Sequence, residues 1–181
     1  MNIVNVSTSL VETACGGTVS RSERYAAVLV FAAATWSSVG GAALVRGSGA
    51  AAAFGMWGAT IALSVLGAVL FVMWAHFVAA VVYRYGDIYD LFFSLLAARA
   101  PYLLLLPTGI IAAYLRAPVL FSAAEFAVFV GYLVGVSRAL RRCYRFSAGH
   151  VAAVLLLPIA GLFAVLLGLV ALGVLVALAI R

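Results

Sequence analysis

A chain of 181 residues with 67% hydrophobic and 9% charged residues and a mean hydropathy of +1.24 lies far from a soluble domain, where about a quarter of residues are charged. Its net charge of +6 does not point to nucleic acid, because the arginines stand at the ends of apolar runs instead of forming one patch with interleaved aromatics. The composition is that of an integral membrane protein, so what matters is how many spans of about 20 residues it can supply.

Residues 1–24 are polar and hold no apolar run long enough for a signal-peptide core, which reads as a short cytoplasmic tail. The first span is expected over Tyr25–Val45, closed by Arg46 and rich in small residues (Ala32, Ala33, Ala34, Ser37, Ser38, Gly40, Gly41) that let a neighbouring helix backbone come close. Gly47 to Tyr83 carries no charge, and a second span is placed over Trp57–Tyr83, anchored by Tyr83, Arg84 and Tyr85. His76 lies about two turns inside that edge. It reads as a neutral imidazole bonded to a nearby backbone group or hydroxyl, or else as a proton carrier or metal ligand.

Gly86 breaks the chain and Asp87 can cap a new helix. Ile88, Leu91, Phe92, Leu95 and Leu96 then follow at helical spacing, as an amphipathic lead-in to a third span over Leu95–Leu115. Arg99 is expected near the cytoplasmic end, snorkelling to headgroups. Pro107 should kink this helix and release a backbone carbonyl. Asp87 and Asp90 are too few for a two-metal centre; capping and pairing with Arg84 or Arg99 account for them.

Arg116-Ala-Pro118 is an external turn. The fourth span, Val119–Val136, carries Glu125 about 10 Å below the outer face, where an ionised group costs about 2.5–3.5 kcal/mol and calls for a partner or a purpose. Gly131 and Gly135 form a G-x-x-x-G suited to close packing. Ser137 to Ser147 is read as a basic loop holding Arg138, Arg141, Arg142 and Arg145. After it come an interfacial helix through His150, a proline kink, and a fifth span over Pro158–Ile180.

The fold expected is thus all-α, a polytopic transmembrane bundle of five spans in one membrane domain, 25–181, behind the tail 1–24. With eight arginines on the side of the tail and basic loop against three opposite (Arg46, Arg116, Arg181), the N-terminus is inside and the C-terminus outside. Cys15 and Cys143 both face the cytoplasm on this topology and read as free thiols.

A polar cytoplasmic tail, five packed spans, an outside C-terminus, a glycine break (Gly86) before a proline-bearing third helix (Pro101, Pro107) and the boundary Gly135-Val-Ser-Arg-Ala-Leu140 together resemble the YIP family. These are Rab-GTPase-interacting five-pass membrane proteins and their prokaryotic relatives. The acidic Asp-Leu-Tyr-Gly-Pro motif of the eukaryotic members is absent, so a Rab-type partner is not carried over. The resemblance implies a non-enzymatic multi-pass protein of the cell membrane, a scaffold or organiser of membrane composition or trafficking, with no catalytic residue, metal or cofactor. Its expected partners are anionic lipid headgroups and a membrane or cytoplasmic protein at Arg138, Arg141, Arg142 and Arg145, with a homo-oligomer also admitted and nucleic acid not. The alternative is a small transporter or channel subunit passing protons or a small cation along Glu125, His76 and the carbonyl freed at Pro107.

Overall fold

The computed structural model describes residues 20–82, 84 and 86–179, and within the last helix omits the side chains of 162, 165, 166 and 171–179. The described residues are helical and contain no strand. Six α-helices are present: α1 Arg21–Arg46, α2 Ala50–Val81, α3 Ile88–Ala97, α4 Leu105–Tyr114, α5 Pro118–Cys143 and α6 Ala148–Ala179. A 3-10 segment, Ala100–Leu104, joins α3 to α4. Four stretches are long and apolar enough to cross a membrane: α1, α2, Ile88–Tyr114 taken together, and α5. A membrane-type helical bundle follows.

Each boundary has a local cause. Ser20 and Glu23 cap the start of α1 reciprocally, with the Ser20 side chain accepting from the Glu23 N–H and the Glu23 carboxylate accepting from the Ser20 N–H, the capping-box arrangement. Four residues assigned to the tail, 21–24, are therefore helix. Gly47 ends α1 at φ 68°, a left-handed conformation that glycine adopts without penalty. Asp87 caps α3 by accepting from the N–H groups of Tyr89 (2.6 Å) and Asp90 (3.2 Å), as the sequence suggests.

α1 is the centre of the bundle. It packs along α4, the 3-10 segment and α3, and also touches α2 and α5. Lipid tails are as apolar as leucine, so helices in a bilayer associate through close packing of small residues. Ala27, Ala34, Ser37, Gly41 and Ala43 are the buried positions through which α1 does this. At the closest crossing, a Cβ on Gly109 would stand 2.6 Å from the Gly41 Cα, and one on Gly41 would meet the Leu105 carbonyl and, at 2.8 Å, the Phe121 ring. Around it lies the core cluster of Leu105, Ala112, Phe121 and Val128.

Among the described residues, α2 packs chiefly against α1 and α3. Its close face is Ala53, Val72, Ala75 and Ala79, while Leu63, Leu66, Leu70, Met73 and Phe77 stand exposed as a lipid-facing side. On α5, Gly131 and Gly135 receive the start of the 3-10 segment and the turn before it: a Cβ would lie 3.5 Å from Pro101 at Gly131 and 3.1 Å from the Ala98 Cβ at Gly135. The G-x-x-x-G is a helix contact.

Several sequence expectations need correction. The second span begins at Ala50, seven residues earlier than Trp57, so the 47–56 stretch is mostly helix. The third span is interrupted at 98–104, ahead of Pro107. Pro107 lies in the first turn of α4, after that break. α5 runs on to Cys143, so most of the expected basic loop is helix. The arginines permit this because positive side chains near a helix C-terminus meet the negative end of its dipole. Cys143 is disulfide-bonded and not a free thiol; the other cysteine, Cys15, lies outside the described residues. The expectation of a free thiol rested on placing Cys143 in the cytoplasm, where disulfides are rare.

Residues 146–181 form a separate compact unit. Ser147 opens its helix, with its hydroxyl 3.0 Å from His150 Nδ1 and accepting the His150 N–H at 3.4 Å. α6 continues through Pro158 as one helix, where an interfacial helix followed by a span was expected.

Candidate functional site

Arg99 is the charged residue whose surroundings differ most from expectation. It lies about 11 residues after Ile88 and about 15 before Tyr114 in the broken third span, so about 16 Å from one end and about 22 Å from the other. Phe31 on α1 and Tyr132 on α5 occupy the same level, each about 10 residues from the end of its helix on the α3 side. On α1 the flanking charge Arg24 is seven residues before Phe31, and on α5 Arg138 is six after Tyr132, so the guanidinium lies about 10 Å inside the charged ends of those helices.

The residues around it explain how it is tolerated. Its carbon stands 5.3 Å from the Phe31 ring centroid, 5.8 Å from that of Tyr132 and 6.0 Å from that of Tyr102, within reach of the negative ring faces. Nη1 donates to Ser64 Oγ on α2 at 2.9 Å. Among the described residues no carboxylate lies within ion-pair distance, so neither Asp87 nor Asp90 is its partner. A guanidinium has five N–H donors, and Ser64 takes one. The others are not sealed in protein, since Trp57 Nε1 is the one buried side-chain polar atom without a partner among the described residues. They meet a cavity of about 420 Å³ between α1, α2, α3 and α5. The sequence carries no signal for this cage, whose rings come from three separate segments.

The break beside Arg99 is held from outside. Ser37 Oγ on α1 accepts the Leu106 N–H at 2.8 Å and donates to the Leu103 carbonyl at 2.9 Å. Leu103 precedes Pro107 by four residues, so its carbonyl is the one that the proline frees. It is occupied by Ser37.

The expected transport residues are not brought together. Glu125 is exposed in the second turn of α5. His76, near the far end of α2, places Nδ1 3.1 Å from the Tyr144 hydroxyl just beyond α5. Glu125 and Tyr144 stand about 28 Å apart along that helix. His76 is thus bonded to a hydroxyl, one of the two readings the sequence offered. Among the described residues no three His, Cys, Asp or Glu side chains gather closely enough to hold a metal.

Tyr144 is fully buried, and Gly86 leaves room for its ring, since a Cβ there would stand 2.6 Å from Tyr144 Cδ1. Burial, with a further contribution from Asp87, pushes its phenol up to about 12. A raised phenol favours the neutral form in the fold. The stabilisation is whole below the ordinary value near 10 and is lost as pH rises through about 12. Thermal unfolding in detergent should show this alkaline loss in the wild type. Tyr144→Phe should lack that step, and should lose about 1 kcal/mol at neutral pH with the His76 bond. An unchanged alkaline step in Tyr144→Phe would assign the titration elsewhere.

Arg138, Arg141 and Arg142 occupy the last turns of α5, and Arg145 follows at φ 51°. All four are exposed. Searches for similar proteins complete the picture: no family profile matches the chain, and neither a curated protein nor a solved structure matches it.

Proposed function

We propose that the chain is a non-enzymatic, multi-pass protein of the cell membrane, of YIP type, with five spans, its N-terminus in the cytoplasm and its C-terminus outside. In this reading it is a scaffold or organiser of membrane composition or trafficking that engages anionic headgroups and a partner protein through the basic end of α5. The observation that carries it is the row of exposed arginines at 138, 141, 142 and 145. The spacing i, i+3, i+4, i+7 keeps such residues on one side of a helix, and three of the four are helical.

The 32-residue apolar α6 supplies the fifth span. Placing Arg99 within the bilayer reduces the charge count to seven arginines against three, still a positive-inside bias. A disulfide at Cys143 argues for an oxidising side, but charge acts during insertion, before oxidation, and so sets orientation.

The test replaces all four arginines with glutamine and measures lipid retained by the detergent-purified protein, with topology checked by protease access. The wild type should keep anionic over zwitterionic phospholipid, a preference erased by the substitutions or by salt that shortens screening to a few ångströms. Each arginine near a charged surface contributes roughly fivefold. An unchanged preference in a correctly oriented variant would sink the reading.

A further inference from the structure

We propose that the cavity beside Arg99 binds one long-chain carboxylate, its head on the guanidinium and its tail running out sideways into the bilayer. This site is independent of the basic end of α5 and does not rest on the scaffold reading.

Three observations point to a single anionic oxygen head. Arg99 is a fixed cation inside the bundle with no carboxylate in ion-pair range among the described residues. It opens onto about 420 Å³ of space, within the about 300–1,000 Å³ of small-molecule sites. The groups around the head are donors or able to donate: besides Arg99, the hydroxyl-bearing Tyr132 and Ser64 line the cavity, and Ser64 Oγ accepts from Arg99 with its own proton uncommitted among the described residues. A planar carboxylate can take two parallel N–H bonds from one guanidinium, and it balances one positive charge with one negative.

The rest of the wall is apolar, with Phe31 and Phe71 among its residues, apart from Thr60, whose hydroxyl donates to the Met56 carbonyl. Gly67, on α2, borders the cavity, and a Cβ there would meet nothing within 4 Å. A tail has room at that point. Size selects carboxylate over phosphodiester. A fatty carboxylate is one small head on one chain, which about 420 Å³ admits, whereas the phosphate of a glycerophospholipid brings a glycerol and two acyl chains with it.

The full-length protein purified in detergent is titrated with spin-labelled stearate, and the immobilised fraction is read by electron paramagnetic resonance. Unlabelled stearic acid should displace the probe, and stearyl alcohol, with the same tail and no charge, should compete at least about tenfold less well. Arg99→Gln should weaken probe binding by about tenfold or more. Arg99→Lys should recover part of it as a point charge without the planar fork. Gly67→Leu, which keeps the arginine and fills the tail space, should also reduce binding. Should Arg99→Gln fail to fold, the alcohol competition and Gly67→Leu decide. Equal competition by the alcohol, or full binding in Gly67→Leu, would overturn the proposal. Displacement by phosphatidylglycerol at lower concentration than by stearic acid would overturn it in favour of a phospholipid headgroup.

Discussion

Gly41→Val prevents the bundle from assembling around α1, while Gly58→Val, the same change on a helix of the same membrane, is tolerated. At Gly41 the new Cβ runs into the Leu105 carbonyl and, at 2.8 Å, the Phe121 ring; at Gly58 it meets nothing within 4 Å. Overpacking a core usually costs about 1–3 kcal/mol because side chains can shift. Here part of the obstacle is backbone, and the opposite wall is Gly109, whose own Cβ position is 2.6 Å from the Gly41 Cα. The two helices must move apart, and the contacts of α1 with α4, the most extensive in the bundle, go with them. A loss above about 3 kcal/mol is expected. It would be seen as aggregation on size exclusion and loss of the thermal transition in detergent for Gly41→Val and Gly109→Val, with Gly58→Val near wild type. Equal behaviour of Gly41→Val and Gly58→Val would show that the crossing is not what holds the bundle.

This crossing was half legible in the chain. The small residues between Ala32 and Gly41 announce a packing helix, because in lipid only small side chains admit a neighbouring backbone. Gly131 and Gly135 announced a second contact, which α5 makes with Ala98 and Pro101. Which glycine meets which helix is a matter of rotation and depth, and periodicity does not carry it. Pro107 was legible in one sense and misleading in another. Its effect on the Leu103 carbonyl follows from ring chemistry, but the chain breaks earlier, at 98–104, because Pro101 precedes it.

The surroundings of Arg99 were less legible. A charge near the end of a span is expected to reach for headgroups. Three aromatic rings from α1, α5 and its own segment surround the guanidinium, and they come from positions 31, 102 and 132, far apart in sequence. The basic stretch was read as a loop, and α5 carries it as helix to Cys143. Charge marks where a chain leaves the hydrocarbon; it does not mark where a helix ends.

Ser37→Ala should cost about 2–5 kcal/mol, more than a serine-to-alanine change on any lipid-facing helix, because it strands two backbone groups at once. Without Oγ, the Leu106 N–H and the Leu103 carbonyl lose their partner at a depth where water is scarce and each unmatched polar group is expensive. Thr108→Ala is the matched control: its hydroxyl only adds to carbonyls of its own helix, at Leu104 and Leu105, and its removal should cost about 1 kcal/mol or less. A second substitution separates the bond from the local packing. Pro107→Ala restores an N–H four residues after Leu103, giving that carbonyl an intrahelical donor of its own. Ser37→Ala should therefore be milder in the Pro107→Ala background, by roughly 1 kcal/mol in a double-mutant cycle of thermal stability. The Leu106 N–H stays unmatched in both backgrounds, so the rescue is partial. Strict additivity would mean that Ser37 acts through packing and that the break in the third span is held by the aromatic cage around Arg99 instead.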